Sequence, residues 1–347
     1  MIQLRFKARV GAARLPIPSS LWSALRRTLA CLCALAAIVL CAAPSAAETW
    51  PNKTIRIVIP FPVGGSVDGL ARVFAARLQT QLGVPVIVES RPGAGGNVAG
   101  NAVSKSPPDG YTWLMHTNGL AIAPSMYRSL PFDPVADLAR VAELVTTSSI
   151  FIVNNKMPTA TFRDFIAYAK ANPGKLNYGA TGVGTATQLT MEMVKHATGM
   201  DIQIVPFTGD APLMSALIGG EVQCALVPST AAKSHLDAGA VRGLAVTTEK
   251  RVPTMPDIPT MMEAGIPGFS VTGWIGLFAP SGTPREIVDR MARESLIAIA
   301  SDDLAQPLVN LTVDAADVGP DAFDKIYKDE VASFRQVVKD ANIPTQD

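Results

Sequence analysis

The stretch Ile55-Arg56-Ile57-Val58-Ile59-Pro60-Phe61-Pro62-Val63-Gly64-Gly65-Ser66-Val67-Asp68-Gly69-Leu70 decides the fold. A β-branched run from Ile55 to Pro60 reads as a strand, and a glycine pair stops it. The residues Asp68–Leu82 then set Leu70, Phe74, Leu78 and Leu82 on one face at near-helical spacing. Strand, glycine loop and helix make half of a βαβ unit. Val84–Glu89 supplies the next strand, which ends at the loop Arg91–Asn97, and Tyr111–His116 supplies a third. The spacing predicts a parallel, doubly wound sheet.

The pattern restarts downstream. A strand at Ile150–Asn154, a helix at Thr161–Ala171 and a strand at Leu176–Gly179 lead to a second glycine loop, Ala180-Thr181-Gly182-Val183-Gly184-Thr185. A helix over Thr187–Thr198 follows, then strands at Ile202–Phe207, Cys224–Val227 and Arg242–Thr247. Beyond the run Ser270–Ala279, helices are predicted at Pro284–Ala300 and Asp321–Ala341. In the last one Phe323, Ile326, Tyr327, Val331, Phe334 and Val338 form an apolar stripe. Two strand, glycine loop and helix units predict a two-lobed α/β protein. Each lobe is expected to be a mainly parallel sheet flanked by helices, with a ligand cleft between lobes. Residues 48–147 and 273–347 are expected in one lobe and 148–272 in the other.

Composition narrows the function classes. The chain has 347 residues, is 48% hydrophobic and only 17% charged, which excludes disorder and a small disulfide scaffold. The formal charge is +1, but six of the 30 basic residues lie before Glu48 with no acidic residue among them. The remaining 24 face 29 acidic residues, so the body of the chain is mildly acidic. That argues against a nucleic-acid partner.

Residues 1–47 read as a secretory signal peptide. Arg26-Arg27 precedes a 15-residue apolar run, Leu29–Ala43, which is shorter than the roughly 20 residues a spanning helix needs. Ser45-Ala46-Ala47 supplies small residues for cleavage before Glu48. Arg26-Arg27 also leaves a twin-arginine route open. Cys31, Cys33 and Cys41 depart with the leader, so Cys224 has no partner for an internal disulfide. Its apolar surroundings make it a buried small hydrophobe. The mature protein is expected to be soluble, monomeric and periplasmic.

Signals for catalysis are poor. The histidines His116, His196 and His235 are far apart and lack metal-ligand spacing. There is no G-x-S-x-G elbow and no phosphate-binding G-x-x-x-x-G-K-[ST] loop. Val98 and Thr187 stand where a dinucleotide fingerprint needs its third glycine. No catalytic residue, metal or cofactor is expected. The two glycine loops suit another task, because backbone N–H groups at a helix start hold anions without a cationic side chain. Their alternative reading is tight turns with Ser66 or Thr185 as helix caps.

Further segments carry a resemblance: Val88-Glu89-Ser90-Arg91-Pro92-Gly93-Ala94-Gly95-Gly96-Asn97, Pro108-Asp109-Gly110-Tyr111, Ala171-Asn172-Pro173-Gly174-Lys175-Leu176-Asn177-Tyr178-Gly179, Leu217-Ile218-Gly219-Gly220-Glu221-Val222, Pro256-Asp257-Ile258-Pro259-Thr260 and Trp274-Ile275-Gly276-Leu277-Phe278-Ala279-Pro280. With Ile57–Gly65 they make the chain similar to the Bug family, the periplasmic receptors of tripartite tricarboxylate transporters. The resemblance covers essentially the whole mature chain. It implies a type II-like periplasmic binding protein that closes on a small carboxylate and delivers it to integral-membrane transporter subunits. Ligand-binding residues carried over are Phe61, Gly64, Gly65, Ser66 and Asp68 on one side, and Thr181, Gly184, Thr185 and Thr187 on the other. Phe61 would be an apolar wall, and Asp68 is expected to cap its helix.

Two departures bear on the ligand. Gln188 stands where many relatives have His, and Ala225-Leu226-Val227-Pro228 replaces a strand end that usually carries Phe-Asp. Loss of that carboxylate favours a purely anionic or partly aromatic carboxylate over an amino acid. A sensing partner of a signalling receptor, or an exported enzyme, are the other function classes. Turnover of a carboxylate by the pure protein would mark the enzyme.

Overall fold

The computed structural model describes residues 50–340 except Val183, together with Ile343 and Thr345. The expected signal peptide, residues 1–47, lies outside the described residues. The chain begins with β1 (Ile55–Ile59), α1 (Ser66–Leu82) and β2 (Val86–Ser90). A turn of 3-10 helix (Ala94–Gly96) leads into α2 (Asn97–Ser104), β3 (Thr112–Thr117), α3 (Gly119–Met126) and β4 (Leu138–Thr147). Next come β5 (Ser149–Asn154), α4 (Phe162–Ala171), β6 (Leu176–Ala180), α5 (Ala186–Thr198), β7 (Ile202–Pro206) and α6 (Asp210–Gly219). These are followed by β8 (Cys224–Pro228), α7 (Ser229–Asp237) and β9 (Val241–Val246). The chain ends with β10 (Gly273–Pro280), α8 (Arg285–Ile299), α9 (Asp302–Asn310), β11 (Val313–Val318) and α10 (Pro320–Asp340).

The strands form a six-stranded sheet, β11-β4-β10-β3-β1-β2, and a five-stranded sheet, β7-β6-β8-β5-β9. Both are mixed, where the sequence leads one to expect mainly parallel sheets. β1 pairs in parallel with β2 (Ile55 opposite Val86) and with β3 (Arg56 opposite Thr112), as the βαβ reading requires. β10 runs antiparallel to both β3 and β4, and β11 antiparallel to β4. In the second sheet β6 is parallel to β7 and β8, while β5 is antiparallel to β8 and β9. The reason is connectivity. β5 and β10 are each entered from a strand of the other sheet and run opposite to the βαβ strands of their own, whereas β4 runs in the same direction as β1 and β3.

Each sheet buries its own core. Val67, Leu70, Phe74 and Leu78 of α1 pack on Ile55, Ile57 and Ile59 of β1, with Leu82 partly buried beside them. In the second sheet Phe151 stacks edge-on against Phe162 and Phe165 of α4, with ring centroids 4.9 and 5.0 Å away. Cys224 is fully buried in that core, and burial pushes its thiol pKa up, in keeping with an inert packing residue. The terminal helix returns to the first sheet. Phe323, Tyr327 and Val331 of α10 pack with Trp274 and Phe278 of β10, and the Tyr327 hydroxyl donates to the Leu120 carbonyl at 3.1 Å.

Candidate functional site

Helix starts from both sheets converge on one cleft. Ser66 opens α1 after β1, Gly119 opens α3 after β3, Ala186 opens α5 after β6 and Asp210 opens α6 after β7, and all four residues line it. This is where open α/β sheets place ligands, beyond the carboxyl ends of their parallel strands. Each helix start leaves N–H groups without an intrahelical acceptor and presents the positive end of its dipole. The cleft holds about 310 Å³, and no Lys, Arg or His is among its described lining residues. Phe61, Pro62 and Val271 supply apolar wall. A second hollow of about 580 Å³ adjoins it at Phe61 and Thr181 and extends to the Gly93–Gly96 turn and Phe207.

Of the residues expected here, Phe61, Gly65, Ser66, Thr181, Thr185 and Thr187 line the cleft. Thr185 is the N-cap of α5, its hydroxyl accepting from the Gln188 N–H at 3.4 Å. Thr187 Oγ1 lies 3.1 Å from Thr181 Oγ1 and 3.2 Å from Thr185 Oγ1, so the three hydroxyls form one hydrogen-bonded cluster. In α1 the N-cap is Gly65 rather than Ser66, and no side chain caps it.

Gly64, Asp68 and Gly184 stand behind the lining. The Gly64 N–H donates to Asp68 Oδ2 at 2.9 Å, and the Gly184 N–H donates to Gln188 Oε1 at 2.6 Å. Asp68 also accepts from Arg72 Nε at 2.9 Å. Burial raises the Asp68 pKa, but Arg72 and the Gly64 N–H outweigh it and hold the carboxyl below its usual range. Asp68 thus ties down the loop ahead of α1. Gly184 has φ +74°, and a Cβ there would run into the Tyr127 ring at the end of α3. The positive φ and the ring both favour glycine at that contact, which links the α5 loop to the first sheet.

Sequence reasoning missed two contributors. The Asn118-Gly119 start of α3 follows β3 without a glycine-rich signal. Asp210 is the other, and Phe207-Thr208-Gly209-Asp210-Ala211-Pro212 does hold a usable one: a strand end, a glycine and an early-helix proline. Asp210 Oδ2 accepts from Ser66 Oγ at 3.3 Å, across the cleft. Burial raises its pKa, opposed by hydrogen bonds from the Ser66 backbone and hydroxyl.

His116 does not line the cleft. His116 is buried behind the Gly93–Gly96 turn, with Nδ1 2.9 Å from the Thr117 carbonyl, and burial lowers its pKa to about 4. It is a neutral packing residue. Among the described residues no three His, Cys, Asp or Glu side chains gather into a metal site.

Comparison with known proteins follows the same lines. Residues 70–343 match the profile of the tripartite tricarboxylate transporter family receptor. BugT of Bordetella pertussis is 32% identical over 301 residues, spanning 86% of this chain and 92% of BugT. Rpa4515 of R. palustris, solved with adipate, superposes with a TM-score of 0.82 at 34% identity, covering 86% of this chain and all of that one (100%). MatC from Rhodopseudomonas palustris, solved with bound malate, gives a TM-score of 0.79 at 29% identity, over 83% of this chain and 100% of MatC. The two mixed sheets, the cleft of helix starts and these likenesses place the chain in one family: it belongs to the tripartite tricarboxylate transporter receptors, the Bug-type periplasmic solute-binding proteins.

Proposed function

We propose that this protein captures a small carboxylate in the cleft between its two sheets and hands it to the integral-membrane subunits of a tripartite tricarboxylate transporter. One observation carries the reading: four helix starts and a cluster of threonine hydroxyls line a cleft with no cationic side chain among its described lining residues. Oriented N–H groups and hydroxyls hold an anion with several moderate hydrogen bonds, a strength that suits capture followed by release. The carboxylates bound by Rpa4515 and MatC support the ligand class.

The same reading divides the chain into lobes of residues 48–147 with 273–347, and 148–272, closing by hinge motion. The chain passes between the sheets at Ser148 and between Val246 and Gly273. Ser148 Oγ donates to Ser229 Oγ at 2.7 Å, and Thr247 Oγ1 donates to the Val271 carbonyl at 2.8 Å, so both crossings are tied.

Thermal denaturation of the exported protein against a panel of carboxylates, amino acids, sugars and phosphates tests this. A rise in melting temperature confined to carboxylates, with capture of transporter subunits from the same organism, is expected. Stabilisation by sugars or phosphates alone contradicts it.

A further inference from the structure

Among the described residues that line the cleft, Asp210 alone carries an ionisable side chain. It stands at the first residue of α6 and reaches across to the start of α1. There it already accepts the hydrogen bonds of Ser66, from the hydroxyl at 3.3 Å and from the backbone. No cation offsets it: the interactions acting on its carboxyl are burial and the Ser66 bonds. Asp68, by contrast, is paired with Arg72 and stands outside the lining.

This distribution makes the two sides of the cleft unlike. A ligand carboxylate brought to Ser66 would lie against a second carboxylate, with no basic side chain to hold the pair, and like charges in a partly desolvated site repel. The α5 side offers the hydroxyls of Thr181, Thr185 and Thr187, with Asp210 seated on the α1 side instead.

We propose that Asp210 is a specificity-determining residue that sets the polarity of the bound ligand: the ligand's carboxylate lies at the start of α5, and the group it turns toward α1 is a hydrogen-bond donor, a hydroxyl or an ammonium, accepted by Asp210. The proposal rests on the carboxylate-receptor reading above. It also restores to the cleft the acid whose loss from the strand end at Ala225–Pro228 favours a purely anionic ligand. The acid comes from another element, α6 in place of β8.

Calorimetric titration with matched ligand sets tests it, each set sharing a carboxylate and differing in the second group. Suitable sets are 4-aminobutyrate and 4-hydroxybutyrate against glutarate, 6-aminohexanoate and 6-hydroxyhexanoate against pimelate, and 3-aminopropanoate and 3-hydroxypropanoate against succinate. In at least one set the donor-bearing ligand should bind about tenfold or more tighter than its dicarboxylate partner, because an unmatched buried polar group is strongly disfavoured. Asp210→Asn, which keeps an acceptor for Ser66 but removes the charge, should shrink that preference to within about threefold, with the dicarboxylate gaining affinity. Asp210→Glu should restore part of it. A merely structural role would shift every ligand by the same factor, and that result overturns the proposal. So does a dicarboxylate preference left unchanged by Asp210→Asn, which leaves the receptor reading standing. Failure of all these carboxylates to bind either folded protein overturns the receptor reading and the proposal together.

Discussion

Gly65 shows how a single residue governs the cleft. Its φ of −82° is ordinary, and the left-handed conformation belongs to its neighbour Gly64 at +88°. A Cβ on Gly65 would stand 3.5 Å from the Pro62 carbonyl and 3.7 Å from Asp210 Oδ2, so alanine fits. The branches of valine would not, since they project into the space beside Asp210. Gly65→Val is therefore expected to abolish carboxylate binding in calorimetry, whereas Thr185→Ala should cost about 0.5–1.5 kcal/mol, the worth of one neutral hydrogen bond. A Gly65→Val protein that binds like wild type would place the ligand elsewhere. Gly184 fails for a different reason. Its φ of +74° and the Tyr127 ring against it mean that Gly184→Ala should destabilise the fold itself, by about 1–3 kcal/mol on the usual scale of backbone strain, read as a lower melting temperature. The site was half legible at this scale. Glycine loops announce themselves by composition, but Ser66 and Asp210 are 144 positions apart and meet only through the packing of two sheets.

Elements were legible where their pattern was periodic. The stripe on α1, the helix α4 after Thr161 and the apolar face of α10 all appear where the sequence places them. Others were not, α2, α3, α9, β4 and β11 among them. α3, Gly119–Met126, is buried almost all round and contains Pro124, so it has neither a polar face nor a helical composition. β11, Val313–Val318, is an edge strand with mostly exposed or half-buried residues, and β4 carries charges at Arg140 and Glu143. The charge on β4 is used by α10. Glu143 is buried near Glu330 of α10, whose Oε2 accepts from Trp274 Nε1 at 2.8 Å. Burial raises both pKa values, that of Glu330 to about 7, with Glu143 adding to the effect. The folded state then holds a proton more tightly than the unfolded chain. The contribution of this buried acid to stability should be fully present below the ordinary value of 4.5, fall as the pH rises through about 7 and level off above it. Glu330→Gln keeps the acceptor for Trp274 and should flatten that decline in melting temperature. An unchanged pH profile in the variant would assign the titration to another group.

The leader reading predicts that intact-mass analysis of the exported protein gives a chain starting at Glu48 or within a few residues; full-length chain in the membrane fraction would refute it. Closure predicts a smaller radius of gyration by X-ray scattering when a stabilising carboxylate is added, with no change on adding a ligand that does not stabilise the protein. The central claim is that a cleft of helix starts, with no cationic side chain among its described lining residues, holds a small carboxylate. Mass spectrometry of the exported protein purified without added ligand, first native and then after denaturation, tests it most directly. One small carboxylate per chain should be released on denaturation and be absent after Gly65→Val; a metabolite without a carboxylate released in its place would contradict that claim.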